Sequence, residues 1–215
     1  TSDVRMETAG DQVRGVLTAV PGKVDQSRIT VSTLKPGVRP YVLKVHAGTK
    51  QLTEIKDTFL AADWDATFFK WPAEIDPRKD LQGYRKLAKG PTAVRTHLKE
   101  LALRYGMRGP SELSISDQVT AAKLGRDHFG MVARTRLRLA KGTWEFSTLS
   151  DDGVRVIVDG KPVIENWAWH GPTRDTGKLV LPRDKTVEIV VEHFQIDGYA
   201  VLEFSLARLP EPAPR

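Results

Sequence analysis

Asp151 and Asp152 are the residues of this chain whose type and adjacency most call for a chemical explanation. They stand in Ser150-Asp151-Asp152-Gly153-Val154-Arg155-Val156-Ile157-Val158-Asp159-Gly160-Lys161. In an extended strand successive side chains point to opposite faces, so neighbouring carboxylates diverge. Both reach one ion only where the backbone between them is irregular, through a bulge, a tight turn or a cis peptide. A hard cation such as calcium accepts carboxylate and carbonyl oxygens in flexible geometry and would suit that arrangement. The alternative is an exposed turn in which the acids cap backbone amides. Asp159-Gly160 needs only turn chemistry, because Asp-Gly suits the positive φ angles of a two-residue hairpin loop.

A second group of candidates lies in Asn166-Trp167-Ala168-Trp169-His170. Exposed indoles stack on the apolar faces of sugars, so this stretch is a candidate carbohydrate platform. Trp167 is expected to cover the core, whereas Trp169 is left open between core and surface. His170, followed by Gly171-Pro172, sits in a loop and reads as a hydrogen-bonded structural residue. Asp127-His128 and Glu192-His193 are adjacent acid–base pairs, but on a strand the members of each pair face opposite ways. Neither is expected to act as a catalytic couple.

The chain has 215 residues, a net charge of +6 and no cysteine. Thiolate nucleophiles, disulfides and cysteine-ligated zinc are therefore excluded. Lys and Arg are interspersed with acids. In Arg134-Thr135-Arg136-Leu137-Arg138 the three guanidinium groups share one strand face opposite Thr135 and Leu137, which reads as a solvated sheet surface. A nucleic-acid partner is not expected. No run of about 18 apolar residues occurs, so no membrane-spanning helix is expected. The amino end, Thr1-Ser2-Asp3-Val4-Arg5, has the look of an excised fragment or a mature chain. Dinucleotide, phosphate-loop, zinc-protease and nucleophile-elbow motifs are missing from the sequence.

The elements that must position these residues are β-strands. Residues 1–56 carry three strand-like runs, at 12–20, 27–34 and 40–46, separated by Pro-Gly turns that predict antiparallel pairing. They read as the end of a preceding domain or as strands docked on the main one. Residues 64–71 form an aromatic strand, and 72–90 a polar excursion or loop. The stretch 93–105 suits a helix or an alternating strand equally well. Ser116 is placed to cap a short helical turn. From Gly130 onward seven strands are predicted, at 131–139, 143–149, 154–158, 161–165, 178–181, 186–194 and 199–207, joined by tight turns. A sandwich or barrel follows. Residues 210–215 read as a disordered Pro-rich tail.

The string 141–206 resembles the protective-antigen (PA-14) domain family, a β-sandwich module of bacterial toxins, secreted glycosidases and yeast adhesins. The match is carried by Gly142-Thr143-Trp144-Glu145-Phe146, the Asp151-Asp152-Gly153 segment, and Val158-Asp159-Gly160-Lys161. It continues through Val163-Ile164-Glu165-Asn166-Trp167 and Gly177-Lys178-Leu179-Val180-Leu181 to Ile189-Val190-Val191-Glu192-His193-Phe194. The resemblance implies an all-β, antiparallel β-sandwich or barrel with a few short helical turns over 57–209. In sugar-binding members two adjacent Asp joined by a cis peptide hold calcium, which bridges to sugar hydroxyls, and Asp151 and Asp152 occupy that place. Those members add an Asn and carbonyls from a second loop; the equivalent Gln195-Ile196-Asp197-Gly198-Tyr199 offers Asp197 as its one strong oxygen donor. The implied metal set is thus Asp151, Asp152 and Asp197. Asn166, Trp169, His170 and Tyr199 are the implied ligand contacts.

The function this implies is a non-catalytic, secreted or cell-surface module that binds a glycan or polysaccharide, with calcium as cofactor and other domains of the same protein as neighbours. The alternative is a structural or protein-interaction module that binds neither sugar nor metal.

Overall fold

Alternation of apolar and polar residues dictates most of this architecture. The computed structural model describes residues 4–9, 12–18, 36–47 and 50–210. The chain divides into two units, Thr1–Ala61 and Ala62–Arg215.

The first unit is a four-stranded sheet in the order β1 (Val4–Ala9), β2 (Gln12–Thr18), β3 (Gly37–Ala47), β4 (Lys50–Ala61). The structure thus has strands at Val4–Ala9 and Lys50–Ala61 beyond the three expected runs, and β4 continues past residue 56. The predicted run 27–34 lies outside the described residues. The pairing also corrects the expectation. β1–β2 and β3–β4 are antiparallel, but β2–β3 is parallel. Residues 19–36 separate that pair, and a parallel pair requires such a long connection instead of a tight turn.

The second unit contains β5 (Trp64–Lys70), α1 (Leu81–Leu87), β6 (Val94–Leu98), β7 (Ala102–Gly106), α2 (Asp117–Ala121) and β8 (Phe129–Leu139). There follow β9 (Gly142–Asp151), β10 (Val154–Val158), β11 (Lys161–Asn166), β12 (Thr173–Leu181), β13 (Lys185–Gln195) and β14 (Ala200–Arg208). They make a six-stranded sheet, β11-β10-β13-β8-β5-β6, and a four-stranded sheet, β12-β9-β14-β7. All pairings are antiparallel. The expected antiparallel β-sandwich with short helical turns is therefore what this unit is.

In β8, Met131, Ala133, Leu137 and Leu139 are buried while Arg134, Arg136 and Arg138 are exposed, as the alternation predicts. The sheets meet through ring contacts: Trp64 lies edge-on to Phe204 at 5.3 Å, and Tyr105 packs 4.9 Å from Phe129.

The large sheet has a second apolar layer on its outer face, where Phe69, Val132, Ile157, Val190 and Phe194 pack with Tyr84 of α1 and with Trp167. The excursion expected as a loop over 72–90 contains this helix. Asp80 caps it by accepting from the Gly83 N–H at 2.7 Å, and Leu81, Tyr84, Leu87 and Ala88 form its covered face. The ambiguous stretch 93–105 resolves into β6 and β7, which pair with β5 and β14. Ser116 caps α2 as expected, accepting from the Val119 N–H at 3.3 Å.

Candidate functional site

The site forms where β9 hands over to β10 beside the β13–β14 hairpin. The Asp151–Asp152 peptide bond is cis. Gly153 follows because the Phe194 ring leaves no room for a side chain: a Cβ there would collide with a ring carbon. The Phe194 N–H donates to the Gly153 carbonyl at 3.0 Å and fixes the turn against β13.

Both acids are buried, Asp151 at 6% and Asp152 at 1% exposure, yet they are treated differently. The Asp152 carboxylate accepts from the backbone N–H of Ile196 at 2.8 Å and of His170 at 3.2 Å. The Asp151 carboxylate has no hydrogen-bond or ion-pair partner among the described residues. Burial pushes the Asp151 carboxyl up to about 6, with the Asp152 and Asp197 charges adding to the rise. Burial also raises Asp152, opposed by the two N–H donors.

Two side chains hold this turn in place. The Asp152 N–H donates to Gln195 Oε1 at 3.0 Å, and Gln195 Nε2 donates to the carbonyls of Asp197 (2.5 Å) and Tyr199 (2.9 Å). Gln195 thereby ties the acid pair to the second loop. His193 Nε2 lies 3.0 Å from the Asp151 carbonyl. A carbonyl can only accept, so Nε2 carries the proton. Full burial holds this imidazole neutral by lowering its pKa to about 4. His170 Nδ1 donates to the Gly171 carbonyl at 2.8 Å, and its Nε2 is buried without a hydrogen-bond partner among the described residues.

The structure brings some sequence candidates together and engages others elsewhere. Asp197 is exposed on the second loop, and its charge still raises both acids. Among the described residues no group of three Asp, Glu, His or Cys side chains is arranged to hold a metal ion. A cation here would therefore draw two side-chain carboxylates from the chain, and further oxygens from carbonyls, water or ligand hydroxyls. A buried carboxylate without a partner beside a second acid fits a hard cation in donor chemistry and charge. Asn166 donates from Nδ2 to Asp175 Oδ2 at 3.0 Å. Trp167 is a core residue, edge-on to Tyr84 and Phe194, with its N–H donating to the Pro77 carbonyl at 2.7 Å. Trp169 is 63% exposed and Tyr199 46% exposed.

Gln195 and His193 as supports of the acid pair are not read from the sequence, which offers only a polar pair at the end of an apolar strand. Glu192 and His193 do face opposite ways. His193 stacks on Tyr105 in the sandwich interior, whereas Glu192 accepts a bidentate bond from Arg85 at 2.6 and 2.9 Å. Asp127 and His128 precede β8 instead of lying on a strand; His128 packs against Trp71, and Asp127 pairs with Arg126. No helix among the described residues is long and apolar enough to cross a membrane.

Residues 112–211 match the PA14 domain family, a span that begins well before 141 and takes in α2 and β8. None of the curated proteins matches the chain in sequence. Several solved structures are similar to it. The PA14 sugar-binding domain from an RTX adhesin is 15% identical with a TM-score of 0.49, over 69% of this chain and 90% of that one. The epithelial adhesin 9 A domain from Candida glabrata, in complex with Galb1-3GlcNAc, is 13% identical with a TM-score of 0.45, over 71% of this chain and 84% of that one. A beta-glucosidase from Kluyveromyces marxianus is 11% identical with a TM-score of 0.48, over 69% of this chain and 17% of that one.

Proposed function

We propose that the PA14 domain spanning residues 112–211 serves as a non-catalytic, extracellular carbohydrate-binding module in which Asp151 and Asp152 hold calcium. The observation that carries this reading is the buried Asp151 carboxylate, which has no partner among the described residues while its neighbour Asp152 is fixed by two backbone donors. A bound calcium ion would neutralise the pair and accept sugar hydroxyls as further oxygen ligands.

The chain's own residues would then orient the sugar. The exposed Trp169 and Tyr199 rings offer apolar faces for stacking, beside the His170 loop whose backbone N–H holds Asp152. Asn166, held on Asp175, would orient the site's rim, and the Asp197 carboxylate adds negative charge toward the ion. The glycan would be met outside the cell or at its surface, with other domains of the same protein as neighbours.

The test is calorimetric titration of calcium into the wild-type chain and into an Asp151→Asn, Asp152→Asn variant, followed by a glycan array with calcium or chelator. Calcium heats confined to the wild type, with chelator-sensitive glycan signals, are expected. Identical, negligible calcium heats in both proteins would remove the metal role.

A second reading draws on Asp152 alone. Its two oxygens already accept from Ile196 and His170, so the acid could serve as a turn fastener in a structural or protein-interaction module. That reading requires a melting temperature indifferent to chelator and a blank glycan array.

A further inference from the structure

We propose that a cleft on the outer face of the large sheet, between α1 and strands β5, β6 and β8, is a separate site for an acidic sugar. Its carboxylate would seat among Lys89, Arg95 and Arg134.

The cleft has a volume of about 560 Å³, which is ample for a sugar ring. Four cations line it, Arg85, Lys89, Arg95 and Arg134, against two carboxylates, Asp65 and Glu192. The carboxylates are already engaged. Glu192, 2% exposed, is gripped bidentately by Arg85 and lies 3.7 Å from Arg155. Asp65 lies 3.0 Å from His97 Nδ1. No ion pair or side-chain hydrogen bond occupies Lys89, Arg95 or Arg134 among the described residues.

The contrast within β8 is informative. Of its three outward arginines, Arg136 lies 3.7 Å from Glu188 and Arg138 lies 3.4 Å from Asp184. Arg134, which stands across from Asp65 on β5 but forms no ion pair among the described residues, is also the one that lines the cleft. Exposed cations without partners are common on solvated faces; three lining one concave site, where Glu192 is already held by Arg85, are not explained by solvation. Guanidinium forks match the two oxygens of a carboxylate, which favours a uronate over a neutral sugar.

The lining also favours a sugar over a nucleic-acid strand. It offers no Phe, Tyr or Trp ring on which a base would stack, whereas Thr67, on the same strand face as Asp65, presents a hydroxyl group for hydrogen bonding.

The test uses the whole chain in chelator, titrated with trigalacturonate and with its fully methyl-esterified form. Wild type is expected to bind the acid at least about tenfold more tightly than the ester, in keeping with charge-assisted hydrogen bonds. An Arg95→Ala, Arg134→Ala variant, altered at cleft-lining side chains away from the core, is expected to melt like wild type and to lose about tenfold or more in affinity. The Asp151→Asn, Asp152→Asn variant is expected to keep its uronate affinity, which separates this site from the proposed calcium site. Absence of wild-type binding, or equal binding by the arginine variant, would overturn the proposal. So would tighter arginine-dependent binding of a single-stranded oligonucleotide than of trigalacturonate.

Discussion

Strand β10 is bounded by an aspartate turn at each end, and the two turns use the same side chain in opposite ways. At the far end Asp159 and Gly160 have φ angles of 48° and 80°, as a two-residue hairpin loop requires. The Asp159 carboxylate accepts from Lys185 Nζ at 2.7 Å and from the Glu188 N–H at 3.0 Å. The Lys185 partner holds its pKa below the usual carboxylate range. At the near end Asp151 is buried, its carboxylate has no hydrogen-bond or ion-pair partner among the described residues, and it is pushed up to about 6. Asp159 is thus complete without a ligand, while Asp151 carries an uncompensated cost that a cation would relieve.

Asp152→Ala should show the largest effect. It leaves the Ile196 and His170 N–H groups without their acceptor, which costs about 3 kcal/mol in denaturant unfolding. A loss below about 1 kcal/mol would mean that water replaces the carboxylate easily.

Asp151→Asn should act in the opposite direction when chelator is present. The folded-state pKa lies above the unfolded value, so the unfolded state gives up this proton first as pH rises. Stability from this group is therefore full below about pH 4 and is lost as pH climbs through 6. His193 runs against it over the same window, because its lowered pKa makes stability grow from about pH 4 to 6.5. The variant-minus-wild-type difference isolates Asp151. It should be near zero at pH 4 and reach about 2 kcal/mol in favour of the variant above pH 7. A flat difference would break the contrast between the two turns.

Asp159→Ala should cost only about 1 kcal/mol, the scale of one part-exposed ion pair and one backbone bond. Its depressed pKa makes its contribution full above pH 4 and lost on further acidification, so its pH dependence is the mirror of that of Asp151. Acid titration of the variant beside wild type checks this sign.

The same contrast marks what was legible in the sequence. Asp159-Gly160 is a local signal, because two residues determine the turn. The strands from Gly130 onward are equally local, with Arg134, Arg136 and Arg138 alternating against buried neighbours. β12 begins at Thr173, earlier than the predicted 178, because Thr173 to Lys178 presents only polar and small residues to its half-buried face. α1 hides in a polar run broken by Gly83, although Asp80 and the Leu81, Tyr84, Leu87 spacing mark it. Gln195 was not legible as a partner of Asp152. The two are 43 residues apart, and only the β10–β13 pairing brings them together.

The most direct test of the account is the titration of the Asp151 side-chain carboxyl by carbon-13 NMR, with chelator and then with calcium. The account predicts a midpoint near pH 6 in chelator and a fall below the ordinary aspartate value once calcium is added. A midpoint near 4 that calcium does not move would contradict it, leaving Asp151 as ordinary a turn residue as Asp159.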